Sequence, residues 1–168
     1  MTFPRQPGVQ STSLALRARM GEPSKPTTDR SFPRPEAGRS KRAIVDASNV
    51  AHAGEKGARL ATLLAVRDEL REEGFEPILI ADAALRHQID DRAGYERLVD
   101  EGDVKQAPAG TDADYFILTF ARELEAAIVS NDRFKDRIDK YPEVRDRIIR
   151  YMILAGEVVL ERRNRKRI

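Results

Sequence analysis

The spacing of apolar positions along the chain changes abruptly near residue 42. Residues 1–41 carry Pro, Ser, Thr and Arg with no helical or strand period, as in "GEPSKPTTDRSFPRPEAGRSK". Such a composition buries too little apolar surface to offset the entropy of ordering, which predicts a disordered arm. Within it, "SLALRARM" forms at most a transient helical turn. From Arg42 onward, strand and helix periods alternate. "AIVD" (43–46) predicts a short buried strand. Leu60, Leu63, Leu64, Val66 and Leu70 line one helical face, and Gly74 follows as its cap. A second strand is expected over 76–82, then one or two short helices over 84–103, and a brief third strand in "VKQAP" (104–108). "TDADYFILTFARELE" (111–125) predicts a helix opened by Thr111, and "AAIVSND" (126–132) a fourth strand. "RFKDRI" begins another helix, "PEVRDRIIRYMIL" (142–154) a further one with Pro142 in its first turn, and "GEVVLE" (156–161) a fifth strand. Alternating strands and helices of this kind predict an α/β fold: three layers, α/β/α and Rossmann-like, around a largely parallel sheet of about five strands.

Charge sharpens the boundaries. Residues 1–42 hold nine Lys/Arg against three Asp/Glu, and 162–168 ("RRNRKRI") hold five bases and no acid. The chain's net charge is only +2, so the stretch between them carries −9. The organisation read from this is a basic Pro/Ser/Arg-rich arm (1–41), an acidic folded domain (42–161) and a basic tail (162–168). Basic arms beside an acidic domain suggest a polyanion partner, nucleic acid first, although solubilising tails have the same composition. An Arg- and Ser-rich, acid-poor beginning also fits an organelle transit peptide. The chain has no Cys, which excludes disulfides and thiolate metal sites. No apolar run approaches the roughly 18 residues needed to cross a bilayer, so no membrane partner is expected and the protein is expected in the cytoplasm.

In open parallel sheets, ligands bind at the carboxyl edge where the strand order reverses. Asp46 ends strand one, Asp132 follows strand four, Asp114 opens the helix after strand three, and Asp136 lies one turn beyond Asp132. Each acid alone has a structural role open to it, as an Asx turn or a helix cap. Together on one edge they repel: two carboxylates about 5 Å apart cost about 3 kcal/mol at an effective dielectric of about 20. A cation between them removes that cost, and all-oxygen ligands without Cys or a His pair point to Mg²⁺ or Mn²⁺. Such an ion neutralises charge that builds on a phosphodiester under attack.

Three segments in order, "VDASNVAH", "TDADYFILTFA" and "AIVSNDRFKD", resemble the NYN branch of the PIN-like nucleases, and among them the Regnase type. That type carries a "DGSN" strand end, an acidic pair opening a helix, and "VSND…D" after a later strand. The closing "RYMILAGEVVLE" is also similar, so the resemblance spans about residues 42–161. It implies a PIN-like fold and a metal-dependent endoribonuclease that cuts single-stranded or loop RNA. By position it implies that Asp46, Asp114 and Asp132 surround the Mg²⁺ or Mn²⁺ and that Asp136 completes the acidic shell. Asn49 would orient the first carboxylate or a water through its amide, and Ser130 would donate a hydrogen bond at the strand end.

This chain departs from the pattern in one place: Ala113 stands where the family has one of two adjacent acids, and Asp112 is shifted by a residue. The role of Asp112 stays open. The zinc-finger segment of the Regnase type has no counterpart without Cys, which leaves RNA capture to the basic arms. A non-catalytic RNA-binding NYN domain and a toxin-type PIN-like nuclease are the alternatives, DNA cleavage is open, and a homodimer with paired sites is open without a legible surface. Arg133 and Lys135 read as solvated helix residues, His52 and His87 stay unassigned, and Tyr115 and Phe116 read as core rather than a stacking platform.

Overall fold

The computed structural model describes residues 41–161. The expected disordered arm, the "SLALRARM" turn, the transit-peptide reading and the basic tail all lie outside the described residues, apart from Lys41.

The first strand, β1 (Lys41–Asp46), is central, and its last four residues are buried. Its alternation explains why: Ala43 and Val45 enter one apolar cluster while Ile44 enters the other on the opposite face. A strand buried on both faces reads as a continuous apolar run, as "AIV" does. After the one-turn helix α1 (Ala47–Ala51) come α2 (Leu60–Glu72), β2 (Phe75–Ala81), α3 (Leu85–Gln88), α4 (Arg92–Asp100) and β3 (Val104–Gln106). Next are α5 (Ala113–Glu123), β4 (Ala127–Val129), a 3₁₀ turn (Lys135–Arg137), α6 (Val144–Arg147) and β5 (Ile148–Ile149). The sheet is parallel throughout, in the order β3-β2-β1-β4-β5. Leu79 and Val129 join the cluster of Ala43 with α2's Leu63, Val66 and Leu70, whereas Ile80 and Ile128 join that of Ile44 with α5's Ile117, Leu118 and Ala121. Helices thus cover both faces of the sheet, a three-layer α/β/α architecture of the PIN-like kind, as expected.

The closing third differs from the sequence expectation. Only Val144–Arg147 of the expected 142–154 helix is helical. Ile148 and Ile149 instead form the fifth strand of the sheet, beside Ile128 and Val129. Residues 156–161 do not supply that strand. They provide β7 (Glu157–Leu160), which pairs antiparallel with β6 (Tyr151–Leu154) in a separate hairpin. The run "IIRYMIL" suits either helix or strand by apolarity alone; β-branched residues and partners in β4 and β7 decide for strand. Ala155 and Gly156 both take positive φ (49° and 84°), the backbone of a two-residue hairpin turn, where glycine carries the second position without strain. The helix expected from Arg133 is a single 3₁₀ turn, because Phe134 takes a left-handed φ of 48° and interrupts it. Thr111 does not cap α5. Its hydroxyl donates to the Pro108 carbonyl, and Asp112 caps instead by accepting from the Asp114 N–H. Among the described residues, no helix is long and apolar enough to cross a membrane.

Candidate active site at the strand-order reversal

β1 leads to β2 on one side of the sheet, while the chain re-enters on the other side at β4. The strand order therefore reverses between β1 and β4, and their carboxyl ends are Asp46 and Ser130. Asp46 is 8% exposed and Ser130 fully buried. The Ser130 hydroxyl donates to Asp46 Oδ2 (2.9 Å), and its oxygen accepts the Asp132 N–H (3.1 Å), so one side chain ties the first acid to the backbone of the third. Asp46 Oδ1 accepts the Asn49 N–H (3.1 Å). Asp132 Oδ1 accepts the Phe134 N–H (2.9 Å), which supports the left-handed turn after β4.

Asn49 meets Asp46 through its backbone N–H, and its side-chain oxygen is engaged elsewhere. Its Oδ1 accepts from the Asn131 N–H (3.0 Å) and the Tyr151 hydroxyl (2.8 Å). Asn131 returns the link: its Nδ2 donates to the Tyr151 carbonyl and its Oδ1 accepts the Tyr151 N–H. Asn49, Asn131 and Tyr151 thereby clamp the loops after β1 and β4 to the hairpin. Neither Asn131 nor Tyr151 stood out in the sequence as a site residue, since nothing local announces a contact made 102 residues away.

Electrostatically, the site is frustrated. Burial pushes Asp46 up to about 6, against its two hydrogen bonds, and the charges of Asp114 and Asp132 push the same way. Asp114 is also raised, first by burial, then by Asp112 and Asp132, with Arg137 opposing and Asp82 adding. Burial, then the Asp46 charge, keeps the Tyr151 hydroxyl protonated well above the usual tyrosine range. Asp46, Asp114 and Asp132 thus act on a common field at one edge. Asp136 is exposed on the 3₁₀ turn, and it is Asp82 and Asp112 rather than Asp136 whose charges reach Asp114. Asp82 was not picked out in the sequence, although its place after β2 on the same edge was a usable signal. It accepts the Leu85 N–H, and its own N–H donates to the Ser48 hydroxyl.

Asp112 has a defined place. Its Oδ1 caps α5 and its Oδ2 holds the Arg137 guanidinium. Arg133 and Lys135, exposed, form no ion pair among the described residues; the cation that reaches the acids is Arg137. His52 is exposed and bonds the Ser48 carbonyl through Nδ1 (2.8 Å). A broad recess lined by Lys41, Phe75, Glu125 and Ala127 opens at the amino ends of β1, β2 and β4, the edge opposite these acids. Among the described residues, no three carboxylates or histidines converge as a ready cage for a metal ion.

Comparison with known proteins bears on the family and the fold. Residues 39–167 match the model of the Zc3h12a-like ribonuclease NYN domain. The fold is similar to nuclear proteinaceous RNase P 2 (PRORP2) of A. thaliana, with a TM-score of 0.61 and 23% identity over 73% of this chain and 30% of that one. A second structure of the Arabidopsis thaliana nuclear protein-only RNase P 2 gives a TM-score of 0.59 and 25% identity over 72% and 29%. This chain therefore spans about 30% of the length of those proteins. No curated protein matches it. With the match covering most of the sequence, the chain belongs to the Zc3h12a-like ribonuclease NYN domain family and is a nuclease domain.

Proposed function

We propose that the domain hydrolyses phosphodiester bonds within single-stranded or loop RNA, with Mg²⁺ or Mn²⁺ held at the edge of Asp46, Asp114 and Asp132. The observation that carries this reading is the buried Asp46 at the strand reversal, pushed up to about 6 and facing the charges of two further acids. A protein keeps such a destabilising arrangement where a cation neutralises it in use. The donors fit a hard ion, all being carboxylate oxygens. Mg²⁺ commonly takes only one or two carboxylates and completes its shell with water and substrate phosphate, so the lack of a three-carboxylate cage suits it. When bound, the ion lowers the pKa of water and offsets charge on the phosphoryl oxygens.

The chain's own residues then have distinct tasks. Asp46 presents its carboxylate in one orientation, because the Asn49 N–H and the Ser130 hydroxyl each hold one oxygen. Ser130 couples that orientation to the Asp132 backbone. Asn49, Asn131 and Tyr151 stop the two loops from separating under the repulsion of the acids. Asp114 sits at the first turn of α5 as the second acid, and Asp136 serves as an outer acid on the solvent side. The test is cleavage of an unstructured RNA by purified protein, which we expect with Mg²⁺ or Mn²⁺ and not in excess chelator. Undiminished cleavage in chelator removes the metal, and intact RNA under every metal condition favours the second reading. That second reading, an RNA-binding domain without cleavage, draws on Ala113 in place of an acid.

A further inference from the structure

Tyr115 is 52% exposed, alone among the aromatic residues in being a large exposed apolar side chain in the described part of the chain. It immediately follows Asp114 on the first turn of α5. Its ring meets Phe116 edge-on, with centroids 5.6 Å apart and planes at 77°, and Phe116 in turn packs on the core. The ring is thus contacted along one edge and half-exposed beside Asp114, where an aromatic side chain can stack on a base. Three residues before it, Asp112 tethers Arg137 to the same turn. One guanidinium N–H faces Asp112, and the other donors of that side chain have no hydrogen-bond partner among the described residues. Through Asp112, which caps α5, the Arg137 guanidinium is held at the end of the helix whose first turn carries Asp114.

We propose that Tyr115 and Arg137 form a one-nucleotide subsite next to the scissile bond, the ring stacking on an unpaired base and the guanidinium taking the adjoining phosphate. This rests on the RNA-cleaving reading and adds to it the reason for single-strand preference. A base reaches the ring only when it is unstacked, so a duplex offers the Arg137 contact without the Tyr115 contact. It also gives Asp112 a task in this chain, that of aiming Arg137, in place of the acid missing at Ala113.

The test is equilibrium binding of a labelled unstructured RNA and of a matching duplex, with the full chain in chelator, followed by kcat and KM with Mg²⁺. Tyr115→Ala is expected to weaken single-strand binding about 5- to 100-fold, to leave duplex binding unchanged and to raise KM more than it lowers kcat. Tyr115→Phe keeps the ring and retains wild-type binding. Arg137→Gln weakens both RNAs and reduces the salt dependence of binding by about one charge. Tyr115 is exposed, so a wild-type melting temperature is expected for its variants and separates a binding loss from misfolding. Tyr115→Ala that binds single strands like wild type, or that loses both RNAs equally, overturns the subsite. The nuclease reading fails separately: absence of cleavage by wild type, with the Tyr115 effect on single strands intact, leaves a binding subsite without an enzyme.

Discussion

Two corners of the molecule offer a carboxylate to hydrogen-bond donors, and they titrate in opposite directions. At the turn between α3 and α4, Asp90 accepts the N–H groups of Leu60 (2.8 Å) and Asp91 (2.9 Å), with Arg59 alongside. Those bonds and that charge hold it below the usual carboxylate range. Asp46 also accepts two hydrogen bonds, yet it is raised, because burial outweighs them and its charged neighbours are acids. Hydrogen bonding is thus similar at both corners, and the difference lies in desolvation and the sign of nearby charge. The first corner ties α4 to the start of α2 and stabilises the fold. The second stores repulsion at the reversal of strand order, where the proposed cation and phosphate would relieve it.

The sharpest way to break this comparison is to neutralise each corner. Asp46→Asn or Asp132→Asn should lower kcat by about 10³-fold or more, since several kcal/mol of charge stabilisation are lost and each ~1.4 kcal/mol is tenfold. Asp90→Asn should leave kcat unchanged in the same RNA cleavage assay. Next come the residues that hold the site. Ser130→Ala and Asn49→Ala should reduce metal affinity or activity about 10- to 100-fold, read from Mg²⁺ titrations of the cleavage rate. Asp136→Asn, exposed on its turn, should cost less than either.

The two corners should also answer pH with opposite signs. Asp46 binds its proton more tightly in the folded than in the unfolded chain. Its contribution to stability is therefore full below about pH 4 and is lost as pH rises through about 6. Metal-free protein in chelator should gain on the order of 2 kcal/mol between pH 7 and 4 from this group, and Asp46→Asn should remove that slope. Asp90 contributes above the ordinary carboxylate range and loses its contribution as pH falls through its depressed folded value, so the wild type should turn less stable at lower pH. Denaturant melts across pH check both limbs. The smallest effect is expected at Asp91, which caps α4 by accepting the Gly94 N–H (2.9 Å). Asp91→Ala should cost about 1 kcal/mol of stability and leave cleavage rates unchanged.

Much of the molecule was legible beforehand. The apolar run "AIV", the face of Leu63, Val66 and Leu70, and the strand of Ile78 to Ala81 each carry their own period, and the structure keeps them close to the expected bounds. The segment after Pro142 was not legible, because Ile148 to Leu154 has an apolar content that serves helix and strand alike. Its alternation shows only once Tyr151 is inside and Met152 and Leu154 are outside. Thr111 and Asp112 both have capping side chains, and only the bond of Thr111 to Pro108 shows which one is engaged elsewhere.

The order of elements through β4 and the three acidic motifs follow from the amino-acid sequence itself, since strand and helix periods and side-chain types are local properties. Tertiary structure alone decided that Ser130 bridges Asp46 and the Asp132 backbone, that the Asn49 side-chain oxygen accepts from Tyr151, and that Asp112 reaches Arg137. Apart from the Ser130–Asp132 link, two positions apart, those contacts join residues 25 to 102 positions apart. Their existence depends on how the layers pack, and no local pattern encodes burial or the field of a distant charge.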